Sequence, residues 1–367
     1  MLTSPRSLPC VLLSLLALGC GGTLPTEPTS NDERSLQNYT RQPNGTGIHI
    51  GSTQPESWFG LAGLSLTWFL DGFNRHPDGT WWARGWYSVA VGLTRAEAEV
   101  IGVERGGATY ALKDLRSSGS KLQIEVSSAG STQTFQDAGL DGVTLVLRVP
   151  DVTGLVLSTY RLRLGSQQSL DSQLGDVYGY GVEYRAAGLL GSSWSSYCRG
   201  PAGEAQRAVF YQGAQWNPLD GTRSDGADRI TLTCETGSVA KCMRWGYRPW
   251  GTATTQQGDT RSLVDHHQAC IHMKRASYCG DSRSNTLDGT WIYIQDRLSP
   301  SLHSGPLDTL EALWTPEGAT CLNNRRHPEL LFLGCSQPLP TCTAEQQASY
   351  LLATGIAPQG ALLGLQD

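Results

Sequence analysis

The chain's cysteines are so unevenly placed that they divide it before any other feature is read. Of ten cysteines in 367 residues, two sit at Cys10 and Cys20. The remaining eight are Cys198, Cys234, Cys242, Cys270, Cys279, Cys321, Cys335 and Cys342. None lies between residues 21 and 197. An even set confined to the C-terminal half of an exported chain reads as four disulfides, with the pairing open. Structural zinc would call for close Cys-X-X-Cys pairs, and the sequence has none. Each bridge stabilises the fold by about 2–4 kcal/mol, mainly by restricting the unfolded chain. The first half must therefore be held by an ordinary apolar core.

Export is signalled at the N-terminus. Arg6 precedes an apolar stretch from Leu8 to Leu18, shorter than the roughly 20 residues a bilayer span needs and the size of a signal-peptide core. Residues 1–19 are accordingly read as a leader. The end of that leader, Leu16-Ala17-Leu18-Gly19-Cys20, resembles a bacterial lipoprotein signal, with Ala17 standing where the usual pattern has Leu. The resemblance implies cleavage before Cys20, a lipid on that cysteine and attachment to a membrane. It places the protein in the bacterial cell envelope, as an outer-membrane lipoprotein, or as a secreted protein if Cys20 carries no lipid. Residues 20–45, rich in Gly, Pro, Thr and Ser, read as a flexible tether. The Asn-X-Thr triplets at Asn38 and Asn44 carry no meaning in a bacterial lipoprotein.

Residues 46–168 read as a cysteine-free β domain. Leu122, Ile124 and Val126 alternate with polar neighbours, as do Val143, Leu145, Leu147 and Val149. Tyr160, Leu162 and Leu164 share one face, with Val156, and Thr159, Arg161 and Arg163 share the other. Period-two alternation marks half-buried strands, and Ser117–Ser120 and Asp141-Gly142 supply turns between them. A small sandwich or barrel is the expected architecture. The tryptophans Trp58, Trp68, Trp81, Trp82 and Trp86 read as core packing, with a carbohydrate-stacking face as the sharper alternative. Asp-Gly-Thr at 78–80, 220–222 and 288–290 reads as hairpin punctuation rather than a calcium loop. A net charge of −5 leaves no basic footprint for nucleic acid.

Residues 169–345 carry a series of linked motifs. Cys234-Glu235-Thr236-Gly237 is followed by Lys241-Cys242-Met243-Arg244-Trp245-Gly246-Tyr247-Arg248-Pro249-Trp250. Then come His267-Gln268-Ala269-Cys270, Arg275-Ala276-Ser277-Tyr278-Cys279-Gly280-Asp281, Thr286, Asp288-Gly289-Thr290, Asp296, Glu311-Ala312, Trp314 and Cys321. In this order the series resembles the ADYC-domain proteins, exported and often lipid-anchored proteins abundant in myxobacteria. The family's Ala-Asp-Tyr-Cys motif matches Ala276, Tyr278 and Cys279, while Ser277 replaces the Asp. The resemblance implies location and architecture, not an activity. A required acid, base or metal ligand would not survive as serine, so position 277 reads as structural, bonding nearby backbone at a helix end or turn.

Residues 263–275 read as a helix, with Leu263, His267, Cys270, Ile271 and Lys274 along one face and Gly280 where the chain turns away. His266, His267 and His272 look like metal ligands on paper. Adjacent helical residues point about 100° apart, however, so no metal and no cofactor is expected. Arg244 and Arg248 are expected on one face of a strand, with Trp245 and Tyr247 on the other. Trp245, Tyr247 and Trp250 then read as aromatic packing over the disulfides, with a sugar or peptide platform as the sharper alternative. The chain contains none of the hydrolase, zinc-protease, P-loop or dinucleotide signatures. Residues 346–367 read as a terminal helix and tail, opened by a capping box at Thr343–Gln346.

The sequence therefore predicts a mainly β protein with minor helix: a sandwich or barrel, then a disulfide-rich β domain with one or two short helices. Its expected role is non-enzymatic binding of an envelope glycan or protein. The alternatives are an envelope hydrolase using His267, Asp281 or Asp288, and a structural envelope protein.

Overall fold

A computed structural model describes residues 41–43, 59–60 and 67–356, except 90–91, 152, 156, 171–174, 188–192, 201–203, 218–220, 282 and 288–289. Cys20, Trp58, Asp288, the expected leader and residues 20–40 and 44–45 of the expected tether lie outside the described residues, while Arg41–Pro43, read as tether, form a strand paired in a sheet with Trp291–Tyr293. After β1 (Arg41–Pro43) and β2 (Phe59–Gly60) come the long strands β3 (Thr67–Arg75), β4 (Trp81–Val89) and β5 (Gly92–Arg105). Next are β6 (Ala108–Ser118), β7 (Lys121–Ser128), β8 (Ser131–Gln136), β9 (Thr144–Pro150), β10 (Leu157–Ser169) and β11 (Tyr178–Ala186). The short strands β12 (Ser195–Ser196) and β13 (Cys198–Arg199) lead into β14 (Ala205–Trp216) and β15 (Arg223–Cys234).

Eight of these strands close on themselves. The ladder runs β3–β4–β5–β9–β10–β11–β14–β15 and returns to β3, and every pair is antiparallel. This is a β-barrel, in which no strand of the ring keeps an unpaired edge, and eight strands give an interior that side chains can fill. The alternation in the sequence fills it: Leu145, Leu147, Val149, Tyr160, Leu162 and Leu164 are buried in one core. Outward, Arg161 pairs with Glu104 at 2.8 Å and Arg148 with Glu99 at 2.7 Å. A charged exterior around an apolar interior is the reverse of a membrane-spanning barrel. Beyond the ring, β6, β7 and β8 extend from the far end of β5 and fold back. The Ser117 N–H donates to Gln212 Oε1 and the Leu122 N–H to the Tyr180 hydroxyl, both at 2.9 Å.

The cysteine-rich half then adds a second layer: α1 (Ser238–Arg244), β16 (Thr252–Thr254), β17 (Thr260–Ser262), α2 (Val264–Arg275), β18 (Trp291–Asp296), β19 (Leu310–Thr315), β20 (Gly318–Leu322) and β21 (Leu352–Ile356). A small sheet orders them β1–β18–β21–β19–β20. Val209, Tyr211, Ala214 and Trp216, on the outer side of β14, share one core with α1, α2 and this sheet. Helix α2 is thus covered on all sides, and every residue from His266 to Arg275 is buried.

All eight cysteines expected to pair do so: Cys198–Cys234, Cys242–Cys270, Cys279–Cys335 and Cys321–Cys342. The first ties β13 to the end of β15, and the second joins α1 to α2. The domain division read between residues 168 and 169 falls at the last residues of β10, and the ring needs β11, β14 and β15 to close. The described residues pack as one unit.

Two local expectations are corrected. Residues 244–250 do not form a strand, because α1 runs to Arg244 and Gly246 turns the chain at φ 93°. The C-terminal helix shrinks to a single turn, Gln346–Ala348. Its capping box does form, with the Thr343 N–H donating to Gln346 Oε1 at 2.9 Å and the Gln346 N–H to Thr343 Oγ1 at 3.2 Å. Leu352–Ile356 then gains more as the strand between β18 and β19, where Leu352 and Ala353 are fully buried.

Candidate functional site

Two irregularities in the barrel ladder converge on one place. Along β3 and β4 the register slips between Leu70 and Gly72, which leaves Asp71 as the extra residue of a bulge. Gly72 runs so close to β15 that a Cβ there would lie 2.1 Å from the Ile230 carbonyl oxygen, so only glycine fits. Leu70 and Phe73 remain in the barrel core while the bulge aims Asp71 at Arg84. Along β14 and β15 the pairing jumps from Gln212–Ile230 to Gly213–Gly226, so Ala227, Asp228 and Arg229 loop out of that ladder.

Between these irregularities lies a polar cleft of about 560 Å³, within the range of small-ligand sites. Its floor is Arg84, which donates through Nε and Nη2 to both Asp71 carboxylate oxygens at 2.7 and 2.8 Å, and through Nη1 to Gln215 Oε1 at 2.7 Å. Trp86 Nε1 also donates to Asp71, at 2.6 Å. Gln215 Nε2 passes the connection to Asn74 Oδ1, and Asn74 Nδ2 donates to Glu97 Oε1 at 2.9 Å. Glu97 meets His76 Nε2 at 3.1 Å and accepts from Arg95. A continuous chain of hydrogen bonds therefore joins a buried carboxylate to an accessible one.

The two carboxyls are shifted in opposite directions. Burial raises the pKa of Asp71, against the pull of the Arg84 guanidinium and the Trp86 donor. At Glu97 burial also pushes upward, but hydrogen bonds from Arg95, Asn74 and His76 together outweigh it and hold the carboxyl below its ordinary value. Asn74 to Pro77, Arg95, Asn217, Thr222, Ser224, Asp228 and Arg229 complete the lining.

The described catalytic, metal and ligand-platform candidates from the C-terminal half of the sequence lie elsewhere. His267 is completely buried, its Nε2 is 3.0 Å from the Val239 carbonyl, and burial depresses its pKa to about 3. His272 is likewise depressed to about 4, by burial and then by Arg275. Asp281 is tied to its neighbour Arg283. Trp245 and Tyr247 are buried in the second core, where the Tyr247 hydroxyl donates to Asp296 at 3.0 Å. Trp250 is half-buried, with its ring 5.7 Å from that of Tyr211. Packing, not an open ligand platform, describes Trp245 and Tyr247.

The motif around Ser277 finishes α2. Ala276 takes the left-handed conformation at φ 49°, its N–H bonds the Met273 carbonyl, and the Ser277 N–H bonds that of His272. This is the Schellman arrangement of a helix C-terminus. The Tyr278 hydroxyl donates to Glu311 Oε1 and accepts from the Arg326 N–H, both at 2.9 Å. Arg326 pairs with Glu311, both side chains sealed from solvent, and donates to the carbonyls of Met273 and Lys274 at 2.9 and 3.1 Å. Cys279 is bridged to Cys335. Gly280, at φ 68°, approaches the β19–β20 turn so closely that a Cβ would meet the Glu317 oxygen at 1.8 Å. Ser277 Oγ is buried with no hydrogen-bond partner among the described residues.

The ADYC-domain profile matches residues 137–328, more than half of the chain. The chain belongs to the ADYC-domain family. No curated protein and no solved structure shows significant similarity to it. The ADYC match includes the β14 and β15 side of the cleft and stops short of β3, β4 and β5, which supply the other side. Within the ADYC region, the eponymous segment is a helix terminator built from a tyrosine anchor, a disulfide and a glycine contact.

Sequence reading missed Asp71, Asn74, Arg84, Glu97 and Gln215, and took Trp86 only as part of an aromatic cluster. A signal was present. Asp71-Gly72 interrupts the apolar run Trp68-Phe69-Leu70 before Phe73, and Arg84-Gly85 sits between Trp81-Trp82-Ala83 and Trp86. A charge beside a glycine inside a buried strand marks a bulge and a partner for the charge.

Proposed function

We propose that this ADYC-domain protein is an exported binding module held at the cell envelope by a lipid on Cys20, and that the polar cleft engages its ligand. The observation that carries the choice of binding over hydrolysis is the commitment of the cleft carboxylates. Asp71 receives three donated hydrogen bonds, and Glu97 is met by Asn74, His76 and Arg95. A general acid must hold a proton near neutral pH and reach the ligand: Glu97 is shifted the other way, and Asp71, which burial shifts upward, is itself buried with both oxygens bonded by Arg84. His267, one of the three catalytic candidates in the sequence, is sealed in the core and does not line the cleft. Four disulfides and a leader ending in Gly19-Cys20 support an oxidising, extracytoplasmic setting.

Two measurements test this reading. Detergent-phase partition of the expressed protein, with mass spectrometry of the N-terminal peptide, should show a lipid on Cys20 that Cys20→Ala removes. An aqueous-phase protein with an intact Cys20 thiol would end the anchoring reading. Purified envelope polysaccharide should sediment the protein without releasing soluble fragments. Steady fragment release that depends on His267 or Asp281 would instead establish a hydrolase.

A further inference from the structure

A loop in the cysteine-rich half holds apolar side chains out of the fold. Leu331 is 84% exposed and Leu333 74%, whereas Phe332 between them turns inward, its ring edge-on to Tyr278 with centroids 5.7 Å apart. The loop is held at several points. The Cys279–Cys335 bridge closes its far end, Arg325 donates to the Leu330 and Pro328 carbonyls at 3.1 and 2.6 Å, and Arg283 donates to the Gly334 carbonyl at 3.2 Å. Tyr278 and Cys279, the tyrosine and cysteine of the family motif, thus both hold this loop. Leucines fixed in this way cannot fold back onto the core, and paired apolar exposure on a rigid loop marks a contact surface.

What lies against the leucines is narrowed by their size, their surroundings and their place in the chain. Two leucine side chains offer roughly 200 Å² of apolar surface, far below the roughly 1,200–2,000 Å² of a stable protein–protein interface. A lipid layer, by contrast, takes up convex apolar groups without a shaped partner. The charges at the base of the loop balance, with Arg283 beside Asp281 and His327 beside Glu329. Bonding of the loop carbonyls by Arg325 and Arg283 also meets the need for satisfied backbone groups near hydrocarbon. The place in the chain decides for lipid. Strand β1, through which the chain arrives from Cys20, pairs Pro43 with Trp291, and the residue before Trp291, Thr290, meets His327 Nε2 at 2.7 Å through its hydroxyl. His327 opens the loop. The 20 residues between Cys20 and Arg41 reach at most about 70 Å, so a lipid on Cys20 holds the protein by this corner and within that distance of the membrane.

We infer that Leu331 and Leu333 dip into the phospholipid layer that holds the Cys20 anchor, so that the protein meets the membrane at a second, non-covalent point. The inference rests on the anchoring reading and adds a lipid-binding surface to it. A single attachment leaves a body free to turn about it, whereas the leucine loop sets which side of the protein lies on the membrane.

Photo-crosslinking from within the bilayer tests it. The full lipidated chain is reconstituted in vesicles of phosphatidylethanolamine and phosphatidylglycerol containing a phospholipid with a diazirine near the end of its acyl chain, then irradiated, digested and read by mass spectrometry. Crosslinks are expected on residues 327–335, unchanged from about 0.1 to 1 M salt, and reduced about tenfold or more by Leu331→Ser combined with Leu333→Ser. Both side chains are exposed, so this double variant keeps the fold, and its urea midpoint should match that of the parent chain. Crosslinks confined to the peptide carrying Cys20 overturn the inference and leave the anchor in place. Loop crosslinks that persist in the double variant, or that fade as salt rises, overturn insertion of the leucines. A dimer in sedimentation that the double variant returns to monomer, without loop crosslinks, makes a second copy the occupant and overturns the inference as well. Loop crosslinks with an unmodified Cys20 sustain the lipid contact and end the anchoring reading.

Discussion

Arg84 and Arg326 are both buried arginines held by a carboxylate, and their surroundings differ in one respect. Around Arg326 every donor ends on the protein: Glu311 on one side and the last carbonyls of α2 on the other, with the Tyr278 hydroxyl closing the gap. Around Arg84 the bonds continue through Gln215 and Asn74 to Glu97, Arg95 and the solvent. The first network terminates a helix and seals a core. The second stiffens the wall of an open cleft. Buried charge alone therefore does not mark a functional site in this molecule. What separates the two is whether the chain of bonds reaches water.

The comparison breaks most readily at Glu311. Glu311→Ala strands the Arg326 guanidinium in a sealed site and should lower stability by about 3–5 kcal/mol in urea unfolding. A loss under 1 kcal/mol would mean that water reaches this network as well. Removing the Cys279–Cys335 bridge with a double Cys→Ser variant should cost about 2–4 kcal/mol. Affinity at the cleft should stay unchanged, because the bridge belongs to the closed network. Asp71→Asn should cost about 1.5–3 kcal/mol by the same assay, less than Glu311→Ala, since the cleft lets water reach Arg84.

Acid offers a second axis. Burial keeps His267 and His272 neutral in the fold down to about pH 3 and 4, while the unfolded chain protonates them near their ordinary value of 6.5. The unfolded state thus binds more protons below pH 6.5, and stability must fall as pH drops from there toward 4, by up to about 1.4 kcal/mol per unit for each histidine. Urea midpoints at successive pH values should show this slope, and His272→Gln should reduce it. The smallest expected effect is on stability in Arg95→Ala, whose side chain is 52% exposed. A change within about 0.5 kcal/mol, alongside a clear loss of ligand, would separate recognition from folding at this residue.

Much of the frame was legible in the sequence. The alternation of Leu145, Leu147, Leu162 and Leu164 gave the β core, and cysteine placement gave four bridges. The span 263–275 gave α2 to within one residue. The closure of the ring was not legible, because nothing local in β3 records that it pairs with β15. The strand expected at 244–250 failed because alternation of charge and aromatic side chains also fits the end of a helix followed by a glycine turn. At the C-terminus the capping box was read correctly, yet sheet pairing of Leu352–Ile356 outweighed helix propensity beyond its first turn. The cleft was missed because its residues come from strands far apart in sequence. Its signal was two charged residues beside glycines, scattered in apolar runs.

Ring closure also imposes an order in time. Asn74 pairs with Arg229 and Phe73 with Ile230, so the strand that opens the barrel cannot be completed until the one that ends it has been made. A chain appearing N-terminus first holds β3 and β4 as an unfinished hairpin while every intervening strand is added, and the long loop between the partners slows the last pairing. Since β3 and β15 carry the bulge at Asp71 and the loop at Asp228, the cleft comes into being only at that final step. A nascent or truncated chain that stops before Arg223 has neither the closed barrel nor the cleft.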